Sequence, residues 1–169
     1  VNAPGWHDGA TARRWMAIPG KETITFADGA RAGEFPDGTA LVQTLERDGE
    51  RIETRVQIRQ QKEWTGYSYR WAVDQKDAVL VPKGGEDIAG LNWRIPSRAE
   101  CAACHSRAVN YVLGITGQQL DHTDQLKTLD DQGLFSKAVP EKRATPMANP
   151  YDHKADLDER VGAYLHTNC

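Results

Sequence analysis

Between residues 52 and 58 the chain alternates strictly. Ile52, Thr54, Val56 and Ile58 fall on one side, Glu53, Arg55 and Gln57 on the other. A period of two is that of a half-buried β-strand. Thr39 to Leu45 is a second β-prone run, and Asp48-Gly49 between the two is a dipeptide that tight hairpin turns favour, so these runs are predicted to pair as a hairpin. Thr23 to Phe26 reads as a short strand before a turn at Asp28-Gly29, and Pro36-Asp37-Gly38 as another turn. Trp64 to Val73 is aromatic-rich and Ala78 to Val81 is a short apolar run. Together these predict an antiparallel sheet of about four to six strands, a common size.

Near residue 95 the period changes. Ser97 and Glu100 form a capping box after Pro96, so a helix is expected to start at Arg98. Leu126 and Leu129 suit a short helix that Gly133 would end. Leu157, Val161, Tyr164 and Leu165 lie at helical spacing opposite Asp156, Glu159 and Arg160, which predicts a final amphipathic helix. The expected class is α+β. A β-rich region over 1–95 precedes a mostly helical, haem-binding region over 96–169, as one compact unit.

Composition narrows this picture. With 39% hydrophobic and 27% charged residues among 169, the chain is of the globular rather than the disordered kind. A net charge of -3 argues against nucleic acid or an anionic membrane as partner, and the basic residues form only short clusters such as Arg13-Arg14 and Lys142-Arg143. No apolar run approaches the roughly 20 residues of a membrane span, and no signal-peptide pattern opens the chain. Val1 is not an initiator methionine, which suggests a processed or truncated chain.

Three cysteines are too few for a disulfide framework. Two of them belong to Cys101-Ala102-Ala103-Cys104-His105, a C-x-x-C-H run. Thiols separated by two residues on a helical turn reach the two vinyl groups on one edge of a haem, and the next residue then lies where its imidazole coordinates the iron. The competing readings are weaker. A zinc site needs four ligands, usually with a second cysteine pair, and none is present. A redox dithiol wants a βαβ setting. The expected cofactor is one covalent haem c, held by Cys101 and Cys104 and ligated by His105.

For the sixth iron position the first candidate is Met147, in a stretch stiffened by Pro146 and Pro150. A thioether there raises the redox potential. The plain alternative is a gap-filling core methionine. His122 is the competing ligand and would lower the potential, with Met16, His153 and His166 behind it. Trp64, Trp71 and Trp93 suit the sheet core or a haem edge better than a sugar platform. Asp8, Glu53 and Asp74 suit pairing with nearby arginines, and nothing in their spacing marks a general acid and base.

The chain resembles a family of exported bacterial c-type cytochromes of dihaem type, found alone or beside dehydrogenase-like or β-propeller domains. The resemblance is carried by Trp6-His7-Asp8-Gly9-Ala10 with Arg14-Trp15, by Phe35-Pro36-Asp37-Gly38-Thr39 and Ile52-Glu53-Thr54-Arg55, and by Gly66 to Trp71 with Asp77-Ala78. It continues through Trp93-Arg94-Ile95-Pro96-Ser97-Arg98-Ala99-Glu100-Cys101 into the haem motif. After the motif come Val112-Leu113-Gly114, Gln119-Leu120, Gln125-Leu126, Gly133-Leu134-Phe135 and the segment Arg160 to Cys169. It implies haem binding and electron transfer, and it implies that Cys169 begins a second C-x-x-C-H. The β-rich part is also similar to exported cytochromes that oxidise hydroxylamine and carry a lysine–haem cross-link. Gln43 stands where those have lysine, so that likeness implies the sheet and not the cross-link.

The leading expectation is therefore single-electron transfer to or from a dehydrogenase or another cytochrome, in the periplasm or outside the cell. The alternative is a haem enzyme with an open iron site, acting on peroxide, hydroxylamine or nitric oxide with a distal group such as His122. A third reading makes the chain one part of a larger multihaem assembly.

Overall fold

A computed structural model describes residues 1–27, 31–140 and 144–168. The Asp28-Gly29 turn, the Lys142-Arg143 pair and Cys169 lie outside these residues. The chain is mixed α+β, an antiparallel five-stranded sheet followed by a few helices. It forms two compact units, each built from more than one segment. The first comprises Val1–Gly5, Glu22–Phe35 and His105–Cys169; the second comprises Trp6–Lys21 and Pro36–Cys104. The change of character near residue 95 thus falls inside the second unit. No helix among the described residues is long and apolar enough to cross a membrane.

The second unit is a meander of β1 (Thr11–Ala17), β2 (Ala40–Arg47), β3 (Glu50–Gln60), β4 (Glu63–Trp71) and β5 (Ala78–Leu80), each antiparallel to the next. The β2–β3 hairpin turns at Asp48 and Gly49, both with positive φ (55° and 84°). That conformation matches the twist of the strands and is easiest for Asp-Gly. At the β3–β4 turn Gln61 and Lys62 take the same hand without glycine, and the Asp37 carboxylate accepts the Lys62 N–H at 2.9 Å. A small second hairpin joins β6 (Glu86–Ile88) to β7 (Trp93–Ile95). Gly85 before it must lack a side chain, because a Cβ there would meet the Ile95 carbonyl oxygen at 2.5 Å.

Three features depart from the expectation. β1 and the β6–β7 hairpin carry no alternation long enough to read from sequence, yet both form. Thr23 to Phe26 is not a strand, and only isolated bridges hold it, Ile24 to Phe135 and Thr25 to Glu34. The core takes in one residue of the polar face of β3: Leu45, Ile52, Val81, Trp93 and Ile95 form one cluster, and Glu53, opposite Leu45 in the register, is fully buried.

The first unit is built from α2 (Gly117–Leu120), α3 (Gln125–Asp131), α4 (Leu157–Asn168) and long irregular stretches. α3 ends before Gly133, whose φ is 72°. The α4 start is capped by Asp156, which accepts the N–H groups of Asp158 and Glu159. Side-chain amides tie the irregular stretches down. Gln119 exchanges hydrogen bonds with both the N–H and the carbonyl of Ala3, and Asn2 donates to the Gln118 carbonyl. The amphipathic face of α4 forms but is not covered: Leu157 is 63% exposed and Leu165 51%, while the buried residue is Ala163.

Candidate functional site

Cys101 and Cys104 sit on α1 (Arg98–Cys104), the short helix that the capping box predicts. The box is complete. The Glu100 N–H donates to Ser97 Oγ at 3.1 Å, and the Ser97 N–H donates to the Glu100 carboxylate at 2.6 Å. Those bonds hold the Glu100 carboxyl below its usual range. The Arg98 N–H is fixed by the Lys83 carbonyl, and its guanidinium lies over the Tyr67 ring at 4.7 Å, so α1 is seated against β4. The helix places both thiols on one short segment. Cys101 is half-buried and Cys104 exposed, and both are free. Burial raises the Cys101 thiol above its ordinary value, with Arg55 opposing and Glu53 adding to the rise. At neutral pH it is a protonated thiol, unlike the low-pKa cysteine of a redox dithiol.

The boundary between the two units falls between Cys104 and His105. From His105 the chain turns tightly through a 3₁₀ segment, Arg107–Val109, and then through Asn110 and Tyr111, both left-handed. This turn carries the Tyr111 carbonyl back to His105, whose Nδ1 lies 2.8 Å from it. A carbonyl only accepts, so Nδ1 bears a proton, and in the neutral imidazole the lone pair is on Nε2. A backbone carbonyl on Nδ1 is the usual way to orient a metal-binding imidazole. Asn110 locks the turn by donating its amide to the carbonyls of Ala32 (3.3 Å) and Gly33 (2.8 Å) and to the Glu34 carboxylate (3.0 Å). Gly33 itself lies against Thr25, whose carbonyl oxygen a Cβ there would meet at 1.8 Å.

Met147 and His122 belong to the same unit as His105. Met147 is half-buried in an irregular stretch, and its backbone N–H donates to the Gln118 carbonyl. His122 is exposed in the turn between α2 and α3. His153 and His166 are exposed, and Met16 is half-buried in β1. Among the described residues no three His, Cys, Asp or Glu side chains gather as a metal cage.

A polar cluster lies near Cys101. Arg55 grips the buried Glu53 carboxylate with both arms, at 2.7 and 3.0 Å, and the Trp93 indole N–H donates to the same group at 3.2 Å. Glu53 thus pairs with arginine as expected, and Trp93 fills the core as expected. Asp8 instead accepts the Trp6 indole N–H, and Asp74 accepts the Lys76 N–H. One strand further along the sheet, His7 Nε2 receives the Gln43 amide at 3.2 Å and the Arg14 guanidinium at 3.3 Å. Burial, and then the charges of Arg14 and Arg55, push the His7 pKa down to about 4 against the pull of Asp8 and Glu53. It is neutral under ordinary conditions. An alternating strand pattern assigns Glu53 to solvent, and the only hint to the contrary is its neighbour Arg55, two residues on and on the same side of the strand.

No protein-family model, no curated protein and no solved structure matches the chain.

Proposed function

We propose that the chain is a c-type cytochrome module, related to the exported dihaem-type cytochromes, that passes single electrons to or from a dehydrogenase or another cytochrome in the periplasm or outside the cell. One observation carries the reading: a C-x-x-C-H run on a capped helix whose histidine is held by a backbone carbonyl on Nδ1. Cys101 and Cys104 would anchor haem c through thioethers, and His105 Nε2 would take the iron. The region after residue 96 is then the haem-binding region. Haem supplies a one-electron iron couple and four ring nitrogens, so the protein needs only axial ligands rather than a full cage. The Tyr111 carbonyl keeps the imidazole in one tautomer and one orientation, and Asn110 holds that carbonyl in place. Met147 is the proposed sixth ligand and His122 its competitor.

The test is an absorption spectrum of the matured protein, oxidised and reduced, with haem staining after denaturation. Covalent haem, low-spin iron and the weak far-red band typical of Met–iron ligation are expected. Low-spin iron without that band would transfer the sixth position to His122. High-spin iron would replace electron transfer with the open-site enzyme. Haem retained by the Cys101→Ser, Cys104→Ser double variant would sink the covalent reading.

A further inference from the structure

We propose that Arg14, positioned by His7, is a carboxylate-binding residue, and that the carboxylate it takes is a propionate of the haem attached at Cys101 and Cys104. The inference rests on the haem reading above. Its ground is a row of side chains across the sheet. The register aligns Arg14 on β1, Gln43 on β2, Arg55 on β3 and Ser68 on β4, all on one face. At the Ser68 end, α1 lies against β4 and Cys101 is near enough for the charges of Arg55 and Glu53 to act on its thiol. At the other end stands Arg14, two strands from Arg55 and so roughly 10 Å from it at the usual strand spacing. A porphyrin carries its thioether-forming groups on one edge and its propionates on the opposite edge. A haem anchored at the Cys101 end of the row would carry its carboxylates on the edge away from the thioethers, and Arg14 is the cation at the far end of the row.

The charges along the row favour Arg14 as the recipient. Arg55 is neutralised by Glu53, and Arg70 on the same face is met by Glu86 at 3.4 Å. Arg14 has no such partner among the described residues. It reaches the Ala12 carbonyl at 3.5 Å and His7 Nε2 at 3.3 Å. His7 offers no negative charge. With two donors converging on Nε2 it can only be neutral, so it aims the guanidinium without satisfying its charge. Asp8, the nearest acid in sequence, is occupied by the Trp6 indole. Arg14 is an exposed residue of β1, so its guanidinium is open to an incoming group. A carboxylate supplies the missing negative charge, and guanidinium binds carboxylates two-pronged.

The experiment compares the matured wild type with Arg14→Gln and Arg14→Lys by potentiometric titration and by the propionate-bending bands in resonance Raman. Arg14→Gln should lower the midpoint potential and shift a bending band, because an unpaired propionate charge stabilises ferric haem. Arg14→Lys should keep the potential near wild type and still shift the band, because it retains the charge but not the fork. Bands unmoved in both variants, with haem attached normally, would overturn the proposal. A saturable spectral response of the wild type to free acetate that Arg14→Gln abolishes would also overturn it, assigning Arg14 to an external carboxylate instead. Absence of attached haem from the wild type would refute the haem reading itself, and this proposal with it.

Discussion

The two units solve the same problem by different means. The sheet unit shields Leu45, Ile95 and Trp93 behind continuous antiparallel pairing, and even its buried carboxylate is matched by an arginine and an indole. The helical unit has helices of four, seven and twelve residues, ties its loops with side-chain amides, and buries residues from distant segments such as Ile24, Leu126 and Phe135. Backbone pairing between long strands needs nothing beyond the chain, whereas helices of four and seven residues are too short to be stable without something to pack against. The part carrying His105 is thus held by contacts between distant segments and, in the proposed function, by a cofactor, where the part carrying the cysteines is held by strand pairing.

The sharpest way to break this comparison is to withhold the haem. In the Cys101→Ser, Cys104→Ser protein, hydrogen exchange should show protection lost across 105–168 and kept across β2, β3 and β4. Equal loss in both would show that the sheet is no more self-sufficient than the helices. The next largest effect is inside the sheet. Glu53→Ala leaves the Arg55 cation and the Trp93 N–H without their shared acceptor, which should cost roughly 3–5 kcal/mol in denaturant unfolding. A cost near zero would mean that the pair is solvated in practice.

In the helical unit, Asn110→Ala removes three hydrogen bonds that clamp the turn after His105, and should cost about 1–3 kcal/mol. It should also broaden the signals of the His105 ring, which a purely structural loss elsewhere would not do. The smallest effect concerns His7. Its folded pKa of about 4 lies below the ordinary 6.5, so the folded state resists a proton that the unfolded state accepts. That stabilisation is complete above pH 6.5 and is lost as the pH falls toward 4. His7→Asn should flatten the stability curve of the sheet unit over that interval, and identical curves for the two proteins would remove His7 from the account.

Much of this architecture was legible in the chain. The alternation of Ile52 to Ile58, the Asp48-Gly49 turn, the Ser97–Glu100 box and the spacing of α4 all act over a few residues, so local rules suffice for them. The C-x-x-C-H run is local as well, which is why the proposed attachment residues could be named without a structure. What local rules missed depends on partners far away in sequence. β1 is a strand because β2 offers it a ladder, and Thr23 to Phe26 is not one because only single bridges reach it.

The same division runs through the candidate site. Sequence alone picked out the residues proposed to carry the chemistry, Cys101, Cys104 and His105, since the proposal rests on their spacing. Only the tertiary structure decided how they are held. The Tyr111 carbonyl reaches His105 because Asn110 is anchored to residues 32–34, and Glu53 is buried rather than solvated because Trp93, forty positions later, closes over it. A hydrogen bond between distant residues leaves no periodic trace in the chain. It exists only once loop closure has been overcome by the packing of everything around it.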